Sequence, residues 1–377
     1  VIHEINNSIN LHNRYLKEII NLEIKLYRKL AQSNKLDYNR KEIIQRIIQE
    51  VNRLDQSSIK NLINGTGIVL HTGFGRAPIS KKIIQRVATK LDGYINLEFD
   101  LLDGKRGYRQ NHLSQMSNAI FGSQSSLLVN NNASAVLLSL NSLAEGKEVI
   151  VSRGQEVAIG GSFRIPDIIQ KSHAKLIEVG TTNRTHLADY EKAISSSTGV
   201  ILWAHTSNYV VKGFTKEVPL KDLALLSKKK RVPLVVDLGS GTIISTENYN
   251  LPREKNVQEI SKTGADIITF SGDKLIGGPQ CGFIIGKKRY INKISQNPLH
   301  RTYRCDKWTI AFMEETLKTF QSEDKFDSSN LSLQLLTTSK RELFVRGKRI
   351  IDSIPKSKIK VFGLTLEESL VEAGSGS

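Results

Sequence analysis

Seven short apolar runs separated by helix-like segments constrain the fold more than any other feature of this sequence. The runs are SSLLVN, EVIVS, KLIEVG, GVILWAH, PLVVDL, DIITF and GFIIG, and segments such as ASAVLLSLNSLA and LKDLALLSKKK lie between them. Short apolar strands that alternate with helices are typical of a mostly parallel sheet with helices on both faces. The sequence therefore predicts an α/β fold in which ligands bind where the strands end.

The segments on either side of this alternating region predict two further domains. Residues 1–60 contain no Gly or Pro and place apolar side chains at helical spacing among charges. This pattern predicts two or three amphipathic helices with a break near AQSNKLDYN. We assign residues 61–313 to the core and residues 314–377 to a small C-terminal α/β domain, with a helix through KRELFVRGKRIIDSI and a strand at KIKVFGL. One helix and one strand cannot bury their own apolar faces, so we expect this last domain to be partial.

Charge and cysteine content narrow the class of protein. Lys and Arg number 54 against 37 Asp and Glu, and the net charge of +17 favours nucleic acid, an anionic membrane or phosphorylated small molecules as partners. The two cysteines, Cys281 and Cys305, form no C-x-x-C pair, so we expect neither a disulfide framework nor a metal site. No apolar run reaches the roughly 18 residues of a membrane span, and VIHEINNSIN lacks a signal-peptide pattern. A cytoplasmic location is therefore expected.

The loop after the DIITF run carries a lysine, Lys274, within SGDKLIGGPQCG. A lysine amine can form a Schiff base with an aldehyde cofactor, and burial helps it to lose its proton. The alternative is a solvated lysine in a turn. Asp237 ends an earlier strand in PLVVDLGSG, where a carboxylate can hold the ring N–H of a cofactor or can instead cap a helix.

A third loop opens a helix with small residues in LLVNNNASAVLLSL. Exposed N–H groups and the helix dipole favour an anion there, although an ordinary asparagine cap is the alternative. The candidate phosphate-binding residues are Asn131, Asn132, Ala133, Ser134 and, from the lysine loop, Ser271. The order of the three loops along the chain matches pyridoxal-phosphate enzymes of the aspartate-aminotransferase type. Neither the G-x-G-x-x-G motif of nicotinamide enzymes nor a P-loop is found.

Arginines in Gly- and Pro-punctuated loops indicate binding of phosphate-like anions, because the planar guanidinium group forms paired hydrogen bonds. Arg76 lies in GFGRAP, and Arg301 and Arg304 lie in PLHRTYRCDK. Arg106 and Arg109 lie beside His112 in GKRGYRQNH, which makes this loop a candidate substrate loop.

Taken together, these stretches resemble a known family, the bacterial selenocysteine synthases or L-seryl-tRNA(Sec) selenium transferases. The matching stretches are NGTGIVLHTGFGRA, LVNNNASAVLL, VIVSRGQEVAIGGSFRIPD, VGTTNRTHLADY, HTSNYVVKGFT, VDLGSG and TFSGDKLIGGPQCG. They occur in order from about Asn64 to Arg304. The resemblance implies a pyridoxal-phosphate-dependent transferase of fold type I.

The resemblance also implies a reaction and its partners. Seryl-tRNA(Sec) becomes selenocysteinyl-tRNA(Sec) through a cofactor-bound dehydroalanyl intermediate, with selenophosphate as the selenium donor. The partner is thus RNA and not DNA, residues 1–60 are expected to bind the tRNA, and the protein is expected to form a decamer, a ring of dimers.

The same resemblance implies roles for particular residues of this sequence. Lys274 is the Schiff-base lysine, Asp237 partners the pyridine nitrogen, and His205, which opens HTSNYVVKGFT, lies with the cofactor-binding residues. The catalytic residues expected around the phosphate-like donor are Asp273, Arg76, Arg301 and Arg304.

Two other classes of function stay open at this point. One is a related pyridoxal-phosphate lyase that acts on a small amino or sugar acid, and the helical residues 1–60 count against it. The other is a non-catalytic tRNA-binding relative, and the joint presence of Lys274, Asp237 and the anion-binding loop counts against that. The sequence departs from the family at Tyr108 and Gln110, and the family normally continues past EAGSGS.

Overall fold

The chain divides into two compact units, Val1–Ile63 and Asn64–Ser377, in the computed structural model, which describes residues 11–35, 37–160, 163–322, 325–369 and 373–374. The predicted boundary at residue 60 lies three residues before this division. The other predicted boundary, between residues 313 and 314, falls inside helix Lys307–Leu317.

The first unit contains two amphipathic helices, α1 (Asn13–Gln32) and α2 (Arg40–Asp55). The second helix begins with a capping box, in which the Asn39 side chain accepts from the Glu42 N–H and Glu42 accepts from the Asn39 N–H. One face of each helix is buried against the other through Leu16, Ile19, Ile20, Ile47 and Val51. Two of the two or three helices predicted for residues 1–60 are present within the described residues, and the predicted break near residues 31–39 separates them.

The second unit alternates strands and helices over most of its length. Its strands are β1 (Ser125–Val129), β2 (Glu148–Ser152), β3 (Ala158–Ile159), β4 (Phe163–Arg164), β5 (Lys175–Val179), β6 (Thr198–Ala204), β7 (Leu234–Gly239), β8 (Ile267–Ser271), β9 (Gly282–Gly286), β10 (Phe320–Ser322) and β11 (Lys325–Phe326). Its helices are α3 (Lys81–Lys90), α4 (Asn111–Phe121), α5 (Asn132–Ala144), α6 (Ile165–Lys171), α7 (Leu187–Ala193), α8 (Leu220–Lys230), α9 (Val257–Ser261), α10 (Lys288–Ser295), α11 (Pro298–Tyr303), α12 (Lys307–Leu317), α13 (Leu331–Leu336), α14 (Lys340–Ser353) and α15 (Lys356–Phe362).

All seven predicted strands are present, and they form one sheet in the order β1-β9-β8-β7-β6-β2-β5. Strands β8, β7, β6, β2 and β5 are mutually parallel, whereas β9 runs antiparallel to both β8 and β1. The prediction of a mostly parallel sheet is confirmed. The exception, β9, follows directly after the loop that carries Lys274. Because β9 pairs with β8, both ends of that loop are held on neighbouring strands.

Side chains from alternate positions of these strands fill two separate cores, one on each face of the sheet. Val236 and Ile268 face one core, and their chain neighbours Val235 and Ile267 face the other. Because both faces are covered, the central parallel strands β6, β7 and β8 are buried along their whole length. The site at the strand ends is therefore held by a sheet that is rigid on both sides.

The C-terminal part of the chain differs from the predicted pattern. The segment KIKVFGL, predicted as a strand, belongs to helix α15 (Lys356–Phe362), so that prediction is wrong. Pro355 precedes this helix and Gly363 ends it in the left-handed conformation, a combination typical of helix ends. The antiparallel pairing of β10 with β11 was not predicted. Within the described residues, no helix combines the length and apolarity that crossing a bilayer requires.

Candidate active site

The carboxyl ends of three neighbouring parallel strands bring His205, Asp237 and the Lys274 loop to one edge of the sheet. Ala204 of β6 pairs in register with Asp237 of β7, and Asp237 pairs with Thr269 of β8. The backbone N–H of His205 donates to the Asp237 carbonyl oxygen at 2.8 Å. Parallel registry therefore places residues from distant parts of the sequence side by side.

Asp237 is a buried carboxylate, 6% exposed, whose two oxygens are in different environments. Its Oδ1 accepts hydrogen bonds from Asn132 Nδ2 at 2.8 Å, Thr269 Oγ1 at 3.0 Å and the Gly239 N–H at 3.2 Å. Its Oδ2 has no donor among the described residues. Burial raises the pKa of Asp237 above its ordinary value, although these three donors oppose the shift. A cation presented to Oδ2 would favour the charged carboxylate.

Lys274 is 5% exposed, and its Nζ forms neither a hydrogen bond nor a salt bridge with any described residue. Burial lowers the pKa of Lys274, and the nearby positive charge of Arg76 lowers it further, while Asp237 and Asp273 act in the opposite direction. A buried ammonium without a partner is costly, so the neutral amine is favoured. A neutral amine is the form that reacts as a nucleophile or base.

Glycines hold the lysine loop against its neighbours where a side chain would not fit. A Cβ on Gly272 would collide with Cys281 Sγ, and one on Gly278 would lie 2.6 Å from Met313 Cε. A Cβ on Gly282, at the start of β9, would collide with the backbone of Asn131. The lysine loop and the start of helix α5 are therefore packed backbone to backbone.

The start of helix α5 combines an asparagine cap with backbone N–H groups that have no acceptor. The interpretation as a cap and the interpretation as an anion-binding helix start are therefore compatible with each other. Asn131 Oδ1 accepts from the Ser134 N–H at 2.8 Å, which is an ordinary helix cap. The backbone N–H groups of Asn132 and Ala133 have no acceptor among the described residues. The buried Oδ1 of Asn132 also has no hydrogen-bond partner. This helix start retains the capacity to bind an anion.

Arg76 reaches the lysine loop through a salt bridge with Asp273, in which Nη1 lies 2.8 Å from Oδ2. Arg76 has φ of 61°, in the left-handed region that non-glycine residues seldom adopt, and it follows Gly75 at φ of 89°. Such backbone strain is concentrated at functional sites. The turn therefore holds the Arg76 guanidinium beside Asp273 and Lys274.

Three other arginines converge on one carboxylate, Glu98. Its oxygens accept from Arg109 Nε at 2.6 Å, Arg106 Nη2 at 2.9 Å and Arg304 Nη1 at 3.1 Å. These residues line a cavity of about 850 Å³, which Arg301 also lines. The buried Nε of Arg304 has no acceptor, and Arg109 also donates to the Cys305 carbonyl oxygen at 2.8 Å. One carboxylate among so many guanidinium groups leaves net positive charge in this cavity.

The predicted site residues thus form two groups. Arg76 and Asp273 lie with Lys274, whereas Arg301 and Arg304 line the Glu98 cavity, and among the described residues no carboxylate forms a salt bridge to both Arg76 and Arg304. The Arg304 backbone nevertheless bridges Val129, the last residue of the strand before helix α5.

His112 lies apart from the Glu98 cavity. Its Nε2 is within hydrogen-bond distance of the carbonyl oxygens of Asn96, at 3.2 Å, and Leu97, at 3.1 Å. Ser271 is buried at the end of β8, next to the lysine loop.

Sequence reasoning missed Glu98 and the pair Glu254 and Lys255. Lys255 Nζ lies 4.1 Å from the centre of the Trp203 ring. Burial, with a further contribution from the charge of Lys255, lowers the pKa of His205 to about 4. Burial raises the pKa of Glu254, while Lys255 and Lys274 lower it. In the sequence Glu254 and Lys255 stand in a polar segment that looks like a solvated loop, Glu98 lies among the apolar residues of INLEFDLL, and no motif marks any of the three.

The profile of the L-seryl-tRNA selenium transferase family matches residues 62–377. This chain belongs to that family. It is 44% identical over 367 residues to the L-seryl-tRNA(Sec) selenium transferase of Alkaliphilus oremlandii (strain OhILAs), covering 96% of this chain and 78% of the relative. It is 43% identical over 332 residues to that of Geobacter sulfurreducens (strain ATCC 51573 / DSM 12127 / PCA), covering 88% of this chain and 72% of the relative.

A solved structure of D-glucosaminate-6-phosphate ammonia-lyase matches this chain with a TM-score of 0.56 and 18% identity, over 71% of this chain and 69% of the other. At that identity the likeness concerns the fold alone and does not favour a lyase reaction. The selenium transferase family uses pyridoxal phosphate, and this member is a pyridoxal-phosphate enzyme of fold type I.

The residues at the strand ends fit pyridoxal phosphate, because their unpaired atoms complement its three polar parts. Lys274 Nζ suits the aldehyde, Asp237 Oδ2 suits the ring nitrogen, and the N–H groups of Asn132 and Ala133 suit the phosphate. The orphaned Oδ1 of Asn132 lies on the same side chain that donates to Asp237. These are the partners that a pyridoxal-phosphate site needs.

The arginine cluster predicts how stability depends on pH. Hydrogen bonds from Arg109 and Arg106 lower the pKa of Glu98 below 4.5, so its stabilising contribution is present above pH 4.5 and is lost as the pH falls through the lowered value. Glu98→Gln should therefore reduce the free energy of unfolding by at most about 1 kcal/mol at pH 7, the range of exposed ion pairs. Urea denaturation from pH 7 to pH 3.5 should show the difference from wild type shrinking below pH 4.5.

The matched control is Glu145→Gln, which neutralises an exposed glutamate with no described ion pair. A difference between wild type and Glu98→Gln that is constant across this pH range would contradict the assigned role of Glu98.

Proposed function

We propose that this chain converts L-seryl-tRNA(Sec) to L-selenocysteinyl-tRNA(Sec) with pyridoxal phosphate as cofactor and selenophosphate as selenium donor. The observation that carries the proposal is the buried, unpartnered amine of Lys274 beside a carboxylate, Asp237, whose Oδ2 has no donor. Family membership supplies the substrate class. Aminoacyl-tRNA is used in the cytoplasm, so we expect the enzyme there, which cell fractionation would test.

In this proposal Lys274 both attaches the cofactor and moves the α-proton of the seryl group. Pyridoxal phosphate, when bound, supplies an electron-accepting ring that acidifies the α-proton and allows the β-hydroxyl to leave. The lowered pKa of Lys274 keeps its Nζ neutral, and a neutral amine can accept a proton and later return it. Exclusion of water from this buried position limits exchange of that proton with solvent.

Asp237 keeps the ring nitrogen protonated by presenting a charged oxygen to it. The donors on Oδ1, from Asn132, Thr269 and Gly239, fix the carboxylate in one orientation with Oδ2 free. Burial makes the interaction of that oxygen with a cation stronger than in water. The N–H groups of Asn132 and Ala133 and the hydroxyls of Ser134 and Ser271 are proposed to hold the cofactor phosphate.

The selenium donor is proposed to bind to the arginines Arg76, Arg301 and Arg304, with Asp273 orienting Arg76. Selenophosphate is a phosphate-like anion, and guanidinium groups bind such anions through paired hydrogen bonds. The salt bridge of Arg76 to Asp273 and the unpartnered Nε of Arg304 support this role. Arg106 and Arg109 are proposed to contact substrate from the Glu98 cavity.

A homo-oligomer is also proposed, with the decameric ring of the family as its expected form. Large apolar side chains on the surface of the second unit support association of copies, among them Tyr94, Leu101 and Leu102. Sedimentation equilibrium would measure the mass of the assembly, and a monomer at micromolar concentration would contradict the proposal.

Replacing Lys274 tests the cofactor assignment. Lys274→Ala should lose the visible absorbance band that borohydride removes, and turnover should fall by several orders of magnitude, because the attaching amine is gone. Asp237→Asn is the companion variant, which should keep the borohydride-sensitive band and lose most turnover. A band that survives in Lys274→Ala would show that another lysine attaches the cofactor.

Lysine substitutions at Arg76, Arg301 and Arg304 test the donor site. A lysine keeps the charge but cannot form the paired hydrogen bonds of a guanidinium group. Each variant should therefore raise KM for selenophosphate by about tenfold or more, since a hydrogen bond to a charged group contributes ~1.5–3 kcal/mol. Binding of seryl-tRNA(Sec) should change less. A larger loss of tRNA affinity than of donor use would assign these arginines to the RNA surface.

The helices α1 and α2 are proposed to select tRNA(Sec) from other serine tRNAs. Residues 1–60 carry eleven Lys and Arg against seven Asp and Glu, a mild excess that suits recognition by shape. Deleting residues 1–63 should leave a cofactor-loaded core that binds RNA weakly and with strong salt dependence. Titration with tRNA(Sec) and ordinary tRNA(Ser) at two salt concentrations measures the preference, and equal discrimination by both proteins would contradict the role.

A further inference from the structure

A polar pocket of about 330 Å³ lies beside His205 and is separate from the Glu98 cavity. The loops that follow β2, β5 and β6 form it, with Gln155, Asn183, Arg184 and Lys216 among its lining residues. His205 directly follows β6 and bonds to Asp237 through its backbone. The pocket therefore adjoins the proposed cofactor site, although none of the proposed catalytic residues lines it.

The three loops are joined by hydrogen bonds into a preformed wall. Asn183 Nδ2 donates to the Phe214 carbonyl oxygen at 2.7 Å, and Tyr209 Oη donates to the Gly154 carbonyl oxygen at 2.6 Å. The hydroxyls of Ser152 and Thr185 are 2.7 Å apart, which links the ends of the other two loops. Because hydrogen bonds join all three loops, the shape of the pocket does not depend on a bound ligand.

The lining leaves specific groups unsatisfied. Gln155 is 3% exposed and donates through Nε2 to Glu217 at 2.7 Å, but its Oε1 has no donor. Arg184 and Lys216 are exposed, and neither has an ionic partner among the described residues. A buried acceptor and two unpaired cations complement a ligand that carries both hydrogen-bond donors and negative charge. Nucleotides combine these two properties.

Two aromatic side chains stand on the same loop as Lys216. Tyr209 lines the pocket, and Phe214, 86% exposed, projects from the segment between them. Exposed aromatic rings beside unpaired cations are the pattern by which proteins bind single-stranded nucleic acid, since bases stack on the rings and cations follow the phosphates. A second copy of the chain could also cover this loop, and the assembly mass of the variants distinguishes that case in the test below.

We propose that this pocket and the loop 206–217 bind the single-stranded 3′ end of the aminoacyl-tRNA substrate. The inference rests on the proposed function, because the seryl group attached to the terminal ribose must reach Lys274. His205 belongs both to the strand end beside Asp237 and to the pocket, so the last nucleotides lie next to the reacting group. The volume of about 330 Å³ is within the range of small-ligand pockets, here one nucleoside.

The test uses the full-length protein and two fluorescent RNA minihelices with the same acceptor stem, one with and one without the unpaired 3′ tail. Anisotropy titrations measure the affinity for each. Phe214→Ala and Lys216→Gln should weaken binding of the tailed RNA by about fivefold or more and leave the tailless RNA unchanged. Phe214→Tyr and Lys216→Arg should restore most of the affinity, because they keep the ring and the charge.

Matched controls remove similar exposed groups elsewhere in the second unit. Leu225→Ala and Lys192→Gln should bind both RNAs as the wild type does. Equal affinity of Phe214→Ala and the wild type for the tailed RNA would overturn the proposal. So would a variant that loses affinity for both RNAs equally, or one whose assembly mass falls in sedimentation, which would assign the loop to contact with a second copy.

Measuring selenium transfer by the wild-type protein separates this inference from the proposed function. If the wild type transfers selenium but the variants bind the tailed RNA normally, the pocket assignment fails and the function stands. If the tail-dependent loss is present but the wild type transfers no selenium, the function fails and the RNA-end site is supported.

Discussion

Burial of the Lys274 amine without a neutralising contact is the constraint on which the rest of the site depends. An isolated ammonium in such a position costs several kcal/mol, so the folded chain favours the neutral amine. The loop that carries Lys274 keeps the amine buried despite this cost, because both ends of the loop are held by strands β8 and β9, which are packed on both faces of the sheet. Asp237 lies close enough to oppose the shift but forms no salt bridge with the lysine, which leaves its Oδ2 for a different cation. The site is thus electrostatically incomplete in the protein alone, and pyridoxal phosphate bound as proposed would complete it.

Unpaired charge also occurs outside the Lys274 site, in the Glu98 cavity and in the pocket beside His205. Glu98 gathers three arginines and does not balance them, while Arg184 and Lys216 face the pocket beside His205 unpaired. Some of the basic residues behind the net charge of +17 are therefore clustered in these two regions. Under the proposed function, each of these two regions suits one anionic substrate, the Glu98 cavity the phosphate-like donor and the pocket beside His205 the RNA.

The strands and the lysine loop could be predicted because their signals are local. Seven apolar runs became seven strands, and the prediction that small residues open helix α5 was compatible with both a cap and an anion site. The antiparallel direction of β9 could not be predicted, since an apolar run has no direction. KIKVFGL was misassigned because Ile359 and Val361 alternate as in a strand, whereas Pro355 and Gly363 mark a helix. Glu98 was missed because only tertiary contacts bring the arginines to it.

The position of β1 has a consequence for how the chain folds. This strand lies at the edge of the sheet, and β9 is the one strand of the sheet beside it; the partners Leu127 and Ile284 are 157 residues apart in the sequence. Contacts so distant in sequence slow folding, because the loop between them must be ordered first. On the ribosome, β1 emerges long before its partner exists and exposes an unpaired edge in the meantime. Since β9 also positions Gly282 against Asn131, the proposed cofactor site cannot form during synthesis until β9 has been made.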